Sequence, residues 1–462
     1  MGTLEPFSPL VSPVISAAAF ARFRWGLRFA DRAALLRFQE RRLASFLRRA
    51  LPRAPFYRRW AGQPLAALPI VDKATVLGDF AAFNTRGVEL EQALAEGLRA
   101  ERSRDFRPTL DGLTVGLSSG TSGTRGVFLV SPGERARWAG VLLARLLSGG
   151  SLRQLLDVRR KPLRVAFFLR ANSNLYETVA SRRLDFTYHD LLEPLESHQE
   201  RLNGRPPDLL VAPPTVLRRL AEAAAAGALR IAPRQILSVA EVLEPDDERR
   251  IAAVFGVPVG QVYQCTEGFL GASCPAGRVH LNEELLHVEP EWLDAGRRRF
   301  QPIVTDFSRT AQLIVSYRLD DVLLAAEGPC PCGRPSLSLE AIEGRADDVL
   351  WAAPAGQPQG APLSPVFPDV LRHAFARADG AGVLRDYRLE QHGGDWQIRL
   401  DAPESVIEDA KIAVRGELAD LARGLGLRLP DLHFEPWREE PLTLKRRRIR
   451  CLRKPPEEGA PR

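Results

Sequence analysis

Residues Ser118 to Gly126 read SSGTSGTRG, a stretch whose residue types suit a phosphate group. Gly120, Gly123 and Gly126 let the backbone turn tightly and bring its N–H groups close to a ligand. Ser118, Ser119, Thr121, Ser122 and Thr124 add hydroxyl donors, and Arg125 adds a guanidinium that can fork onto phosphate oxygens. Apolar runs at 113–117 and 127–130 lead in and out, so the spacing predicts a loop slung between two strands. A P-loop instead opens a helix and ends in Gly-Lys-Ser/Thr, which is absent here. The bland alternative is a flexible Ser/Gly linker, but linkers are rarely framed by two apolar strands. Gly116-Leu117-Ser118-Ser119-Gly120 also fits the Gly-x-Ser-x-Gly elbow of a hydrolase, with Ser118 as nucleophile and a later His373 completing a triad. That elbow needs a helix directly after the serine, and the residues point to a further turn and a strand.

Other segments carry charge where a nucleotide could use it. Tyr263-Gln264-Cys265-Thr266-Glu267 follows the apolar run 259–262 and falls at a strand's C-terminal end, the edge where α/β sheets gather ligands. Tyr317-Arg318-Leu319-Asp320-Asp321 follows a second run at 313–316, and Gly344-Arg345-Ala346-Asp347-Asp348 precedes a break in composition. Lys445 opens the basic run KRRRIR. The 64 basic residues include only Lys73, Lys161, Lys411, Lys445 and Lys454 as lysines, which singles each of them out. The cysteines give an independent signal. Cys274-x5-His280 and Cys330-Pro331-Cys332-Gly333 supply three thiolates and an imidazole, the donor set of a closed, structural zinc site, with His287 as an alternative to His280. A Cys-x-Cys pair is short to bridge as a disulfide. Against the metal stands the reading of four reduced, unconnected residues; Cys265 and Cys451 read as plain.

These groups need a scaffold, and the 462 residues suffice for two or three domains. A composition of 45% hydrophobic and 26% charged residues is that of a soluble globular protein. No apolar run reaches the ~18–20 residues that span a bilayer, so no stable membrane insertion is expected. The mildly apolar start at 7–20 lacks a basic lead and is broken by Pro9 and Pro13, which makes it a poor signal peptide. Five unevenly spread cysteines make no disulfide framework, so the expected location is cytoplasmic. A net charge of +7 is too modest, without a clustered face, to argue for nucleic acid.

Helical spacing predicts a basic amphipathic helix over 31–51, stopped by Pro52 and docked on the protein's own core. From 115 to 339 apolar strands (165–169, 209–212, 236–239, 259–263) alternate with helices (215–226, 245–255), the pattern of an α/β unit with mixed or parallel sheets. Residues 354–368 read as a Pro/Gly/Ala-rich loop. A small α+β unit follows: helix 366–378, strands 387–391 and 396–401, helix 407–425 and strand 432–437. The expected division is 1–346, 347–454 and a polar, disordered tail at 455–462.

Taken in order and spacing, the loop, Tyr-x-x-Thr-Glu, Tyr-Arg-x-x-Asp and Gly-Arg-x-Asp-Asp resemble the adenylate-forming superfamily of acyl-CoA synthetases. Within it they resemble the phenylacetate–CoA ligase-like branch, which also includes the ligase that adenylylates a deazaflavin coenzyme. The likeness runs nearly end to end, beginning with APFYRRWAGQPLAALPIVDKATV at 54–76. It implies that the loop 118–126 wraps the β- and γ-phosphates of ATP, that Glu267 holds Mg²⁺ and that Thr266 reaches the α-phosphate. Ala240 and Glu241 would lie against adenine, with Tyr263 and Gln264 also at the nucleotide. Asp321 would hold the ribose, or Asp320 if the register shifts by one, and Arg345 would touch ribose or phosphate. Asp347 matches the hinge about which a mobile C-terminal domain swivels. The family pattern Pro-x-Thr-x-x-Gly-Lys-x-x-Arg lacks its glycine here, leaving Lys445 or Arg447 at the catalytic lysine position; Lys445 is preferred as the compact cation. The other arginines of that run read as carrier-binding, or the whole run as a solvated basic tail. Some members of this branch carry a Cys/His cluster like the one above.

The reaction implied is attack of a small, aryl-type carboxylic acid on the α-phosphorus of ATP, then transfer of the acyl group to the thiol of coenzyme A or of a carrier protein's phosphopantetheine. Transfer of AMP to an acceptor, with no thioester, is the alternative. A non-enzymatic nucleotide-binding or surface-anchoring protein using residues 24–60 and 445–454 is a further class, and Glu267 argues against it.

Overall fold

The computed structural model describes residues 11–118, 125–170, 179–358, 361–380, 382–442 and 444–454. The chain divides into two compact units. The first comprises Met1–Leu319, Leu324–Ala341 and Leu442–Lys445, and the second Asp320–Leu323, Ile342–Pro441 and Arg446–Arg462. The chain thus changes unit after Ala341, a few residues before the expected boundary, and Asp320–Leu323 goes with the second unit. The tail expected at 455–462 lies outside the described residues.

The first unit opens with α1 (Val11–Ala21), which runs into a π-helical turn, Arg22–Gly26, and then α2 (Arg32–Ala50). The Asp31 carboxylate caps α2 by accepting from the Ala34 amide at 2.7 Å, and Leu51-Pro52 ends it. Short α3 (Lys73–Gly78) and α4 (Leu90–Ser103) precede a two-stranded antiparallel hairpin, β1 (Thr114–Leu117) and β2 (Val127–Val130). Gly116 is required there: a Cβ would lie 2.1 Å from the ring of its cross-strand partner Phe128. Next comes α5 (Pro132–Leu146), entered through a capping box in which Ser131 and Glu134 bond each other's backbone. Gly140 on this helix lets α1 cross at close range, since a Cβ would sit 2.1 Å from the Ser16 carbonyl.

Beyond α6 (Gly149–Leu156) the chain alternates as expected: β3 (Leu163–Leu169), β4 (Leu184–Asp190), α7 (Leu195–Gly204), β5 (Leu209–Ala212), α8 (Pro214–Ala225), β6 (Gln235–Val239), α9 (Pro245–Phe255) and β7 (Val259–Cys265). These five strands pair in parallel. Their apolar runs are buried because helices cover both faces of such a sheet. The sheet then turns antiparallel through β8 (Gly268–Ser273) and β9 (Val279–Leu281). It continues with β10 (Leu286–Trp292), β11 (Arg299–Asp306), β12 (Ile314–Arg318), β13 (Asp321–Ala325) and β14 (Ser338–Arg345). Among the described residues the strand order is β10-β11-β13-β14-β9-β8-β7-β6-β5-β3-β4, with β12 on β11.

In the second unit β15 (Leu350–Ala352) pairs with β16 (Ser364–Val366), and β16 falls within the stretch 354–368 that reads as a loop in the sequence. Then follow α10 (Pro368–Ala378), β17 (Asp386–His392), β18 (Asp395–Asp401), α11 (Ile407–Gly424), β19 (Asp431–Glu435) and β20 (Ile449–Arg453), in the sheet order β19-β18-β17-β20. Phe375 of α10 stacks on Tyr387 of β17 with centroids 3.9 Å apart, over a floor of fully buried Leu389 and Ile398. The basic run, for which a solvated tail is one reading, is built into the fold over most of its length. Arg446 and Arg448 are buried on Asp386, at 3.1 and 2.9 Å, and Ile449–Arg453 is a sheet strand. Their charges are neutralised inside the unit, which a reading of charge as solvent-facing misses.

Candidate nucleotide and metal sites

The glycine-rich stretch leaves one strand and returns as its antiparallel neighbour, as the flanking apolar runs predict. At its base the Ser118 amide donates to the Gly126 carbonyl at 2.8 Å, and the Ser118 hydroxyl accepts from the Gly126 amide at 2.6 Å. Against the hydrolase reading, the described chain resumes after this stretch as strand β2 and not as a helix, and the Ser118 hydroxyl is engaged at the loop base. Ser119, Gly120, Thr121, Ser122, Gly123 and Thr124 lie outside the described residues. Arg125, the cation aimed at phosphate, forks onto Glu101 at 2.8 and 3.2 Å. Lys73, at the start of α3, approaches the loop base instead: its Cε would lie 3.6 Å from a Cβ on Gly126. Sequence reasoning marks Lys73 only by the scarcity of lysine.

Thr266 and Glu267 form the two-residue connection between β7 and β8, since Cys265 pairs with Gly268. This is the C-terminal end of a parallel strand, where a ligand is expected. The Thr266 hydroxyl donates to Glu267 Oε2 at 2.8 Å, so the carboxylate is held beside the turn. Tyr263 is buried on β7 and Gln264 half-buried, at a bulge in the β7–β8 pairing.

Arg309 joins this turn to the hairpin. Its guanidinium donates to the carbonyls of Thr266 (3.3 Å) and Glu267 (3.4 Å) on one side and Leu129 of β2 (3.1 Å) on the other. Gln312 ties β2 further by accepting from the Leu129 amide at 3.0 Å. Buried Glu134 accepts from the backbone amides of Thr310 and Ala311. Burial works to raise its carboxyl, yet Arg309 and the Ser131 and Thr310 hydrogen bonds hold it below the usual range. Neither Arg309 nor Glu134 stands in a recognisable motif; the only local signal is the Ser131-x-x-Glu134 capping box.

At the neighbouring parallel edge, β6 is followed by Ala240, whose φ of +71° is a left-handed conformation disfavoured for a residue with a Cβ. Glu241 follows, accepting from the Thr215 hydroxyl at 2.7 Å. Burial pushes its carboxyl up to about 7, opposed by the Thr215 bonds and by the charge of Lys445. By contact, Leu442–Lys445 belongs to the first unit, so Lys445 and Glu241 share it.

The remaining expected residues share the second unit. Asp321 opens β13 and lies 3.9 Å from Arg345. The Asp320 carbonyl accepts from the Ala346 amide at 2.6 Å. Gly344 takes φ +126°, and a Cβ there would meet Asp348 Oδ2 at 2.6 Å. Arg447, the alternative to Lys445, bonds Asp348 through Nε at 2.7 Å and Asp347 at 3.0 Å. Its charge is therefore engaged by the aspartates of the expected hinge.

The four expected zinc ligands do converge. The ligand atoms of Cys274, His280, Cys330 and Cys332 all lie within 4.8 Å of one another. Cys274 and Cys330 sulfurs are 3.6 Å apart, and Cys332 Sγ is 3.3 Å from His280 Nε2. No disulfide forms among the described residues. His280 Nδ1 is 3.1 Å from the Ser336 carbonyl, which aims Nε2 into the cluster, the usual arrangement of a metal-bound imidazole. Burial lowers the ring to about 4, so it is neutral and able to ligate. The alternative ligand, His287, sits on β10 against Gln39, 3.0 Å away, and is not part of the cluster. The donor set and its spacing fit Zn²⁺.

No protein-family model matches the chain, and no curated protein matches its sequence. Solved structures do. A 2-hydroxyisobutyryl-CoA ligase in its postadenylation state with R3-HIB-AMP superposes with a TM-score of 0.60 at 18% identity, covering 92% of this chain and 90% of that one. The same ligase with 2-HIB-AMP gives 0.58 at 16% identity, covering 92% and 89%. Its open conformation with 2-HIB-AMP and CoA gives 0.51 at 18%, covering 92% and 91%. The chain has the fold of the adenylate-forming ligases. Among the described residues no helix is long and apolar enough to cross a membrane.

Proposed function

We propose that this chain is an ATP-dependent carboxylate ligase. It activates a small, aryl-type carboxylic acid as an acyl-adenylate and passes the acyl group to the thiol of coenzyme A or of a carrier protein's phosphopantetheine. In the first step a carboxylate oxygen attacks the α-phosphorus and pyrophosphate leaves with the electron pair of the broken P–O bond. In the second a thiolate attacks the acyl carbonyl and AMP leaves. Both steps depend on positioning and on neutralising phosphate charge.

One observation carries the reading: Arg309 brackets the glycine-loop hairpin and the Thr266–Glu267 turn together. Loop 118–126 and Lys73 would face the β- and γ-phosphates, and Glu267 would hold Mg²⁺, a hard cation that prefers carboxylate oxygen. Thr266 would donate to the α-phosphate, and Ala240, Glu241, Tyr263 and Gln264 would border the adenine. Asp321 and Arg345 would hold the ribose, Lys445 would approach the α-phosphate, and Asp347 would serve as hinge of a mobile C-terminal domain. A structural zinc on Cys274, His280, Cys330 and Cys332 would brace the β8–β9 end of the sheet. The location proposed is cytoplasmic, where thiols stay reduced.

The test is ATP–pyrophosphate exchange over a panel of aryl and aliphatic acids. Exchange that depends on an added acid is expected, followed by thioester with coenzyme A or a phosphopantetheinylated carrier. Exchange without thioester to either would replace ligation by AMP transfer. No exchange with any acid would overturn the proposal.

A further inference from the structure

The first unit contains a cavity of about 490 Å³ walled by α1, α2, α5, Phe307, Ser308 and Thr310, with none of the expected nucleotide residues in its lining. That volume is in the range of about 300–1,000 Å³ typical of small-molecule sites. Its interior is apolar, made by Phe23, Phe38, Phe46, Leu285 and Phe307. Its other lining residues include Arg22, Arg42, Arg49, Arg53 and Arg137, all exposed, so the guanidinia ring the mouth. The one acidic residue of the lining, Glu284, is buried and held by Arg145 at 2.5 Å. Among the described residues no carboxylate pairs with any of the five mouth arginines; Arg49 bonds Ser45, and Arg137 bonds the Ser308 carbonyl at 3.3 Å. Burial and the charges of Arg22, Arg137 and Arg49 all pull the Arg42 guanidinium below its ordinary range.

The walls are fixed. Ser16 donates to the Ala136 carbonyl at 2.8 Å, and Arg24 to those of Ala144 and Leu147, both at 3.1 Å, fastening α1 and the turn after it to α5. Gln39 of α2 donates to the Glu283 and Leu286 carbonyls at 3.2 and 3.0 Å. A cavity held this way is preformed, so a ligand spends little free energy ordering it. Like charges gathered over an apolar hollow are complementary to one kind of molecule.

We propose that this cavity binds a single anionic amphiphile, its apolar chain or ring seated among the phenylalanines and its carboxylate or phosphate head held by the arginines at the mouth. The proposal does not rest on the chemistry proposed above.

Calorimetric titration of the full chain tests this with sodium decanoate, decyl phosphate, the uncharged decyl maltoside and inorganic phosphate, each detergent below its micellar concentration. One decanoate or decyl phosphate per chain is expected, bound at least about tenfold more tightly than decyl maltoside, with inorganic phosphate weaker still. The tighter of the two anionic heads identifies a fatty acid or a phosphate-bearing lipid as the source. The double variant Arg42→Gln, Arg49→Gln should weaken anionic binding at least about tenfold, while Arg42→Lys, Arg49→Lys retains most of it. Both sites are exposed, and melting curves check that each variant folds. Equal binding of the maltoside, absence of saturable binding, or undiminished binding in the glutamine variant would each overturn the proposal; the last places the ligand elsewhere in the chain.

Discussion

Replacing Arg309 with Met keeps much of its bulk and removes its charge and donors. Arg309 is only 8% exposed, and its guanidinium supports three backbone carbonyls. Losing it strands Glu134, 6% exposed, without its nearby cation. An uncompensated buried charge costs about 3–5 kcal/mol. An unsatisfied buried carbonyl costs a further ~1–3 kcal/mol, of which the neighbouring strand recovers part. A total of ~4–6 kcal/mol follows, and at about 2–4 °C per kcal/mol this lowers the melting temperature by roughly 8–24 °C. The functional consequence is separable. At a temperature where the variant is folded, the hairpin and the Thr266–Glu267 turn lose their shared bracket, so the KM for ATP in pyrophosphate exchange should rise at least about tenfold. Arg309→Lys should recover little, because one ammonium cannot span both sets of carbonyls. A variant that melts with the wild type refutes the energetics. One that melts early but keeps the wild-type KM for ATP refutes the link from Arg309 to the nucleotide.

Lys445→Ala should lose carboxylate-dependent exchange by two orders of magnitude or about that, yet still consume preformed acyl-adenylate with thiol; equal loss of both steps would contradict its assignment. Protein purified without added zinc should hold one Zn²⁺ per chain by elemental analysis, and Cys332→Ser should lower both occupancy and melting temperature; metal-free, fully stable wild type would count against the site. His189 and His198 form a buried pair with Nδ1 atoms 3.2 Å apart, and burial first, then the His198 and Arg201 charges, lowers His189 from 6.5 to about 3. A histidine whose folded pKa is depressed binds its proton in the unfolded chain first, so stability is present above pH 6.5 and lost as pH falls toward 3. By pH 5 His189 alone accounts for about 2 kcal/mol, measurable by urea unfolding; His189→Phe, which keeps a ring over Phe168, should flatten the dependence.

Much of the first unit was legible because most of its parallel strands are continuous apolar runs that alternate with helices. Residues 209–212 and 245–255 read as the elements they form. The strand Leu184–Asp190 was not, since LDFTYHD lies at the sheet's edge, half-buried, and its composition is as polar as a loop's. The strand Ile449–Arg453 hid behind arginines that Asp386 neutralises internally. In the sites, the Cys/His cluster was readable because metal-ligating donor atoms belong to particular residue types, which survive in sequence. Arg309 and Lys73 were not, because they act across long sequence separations through backbone carbonyls and loop approach, contacts that leave no spacing to detect.

The central claim is that Mg·ATP is gripped between the glycine-rich loop and Glu267. Titrating ATP into the full chain in a calorimeter tests it directly, with magnesium, with EDTA, and in Glu267→Gln. Saturable heat at one nucleotide per chain, weakened at least about tenfold by EDTA or by the variant, is predicted. No heat, or binding indifferent to both magnesium and Glu267, would contradict it.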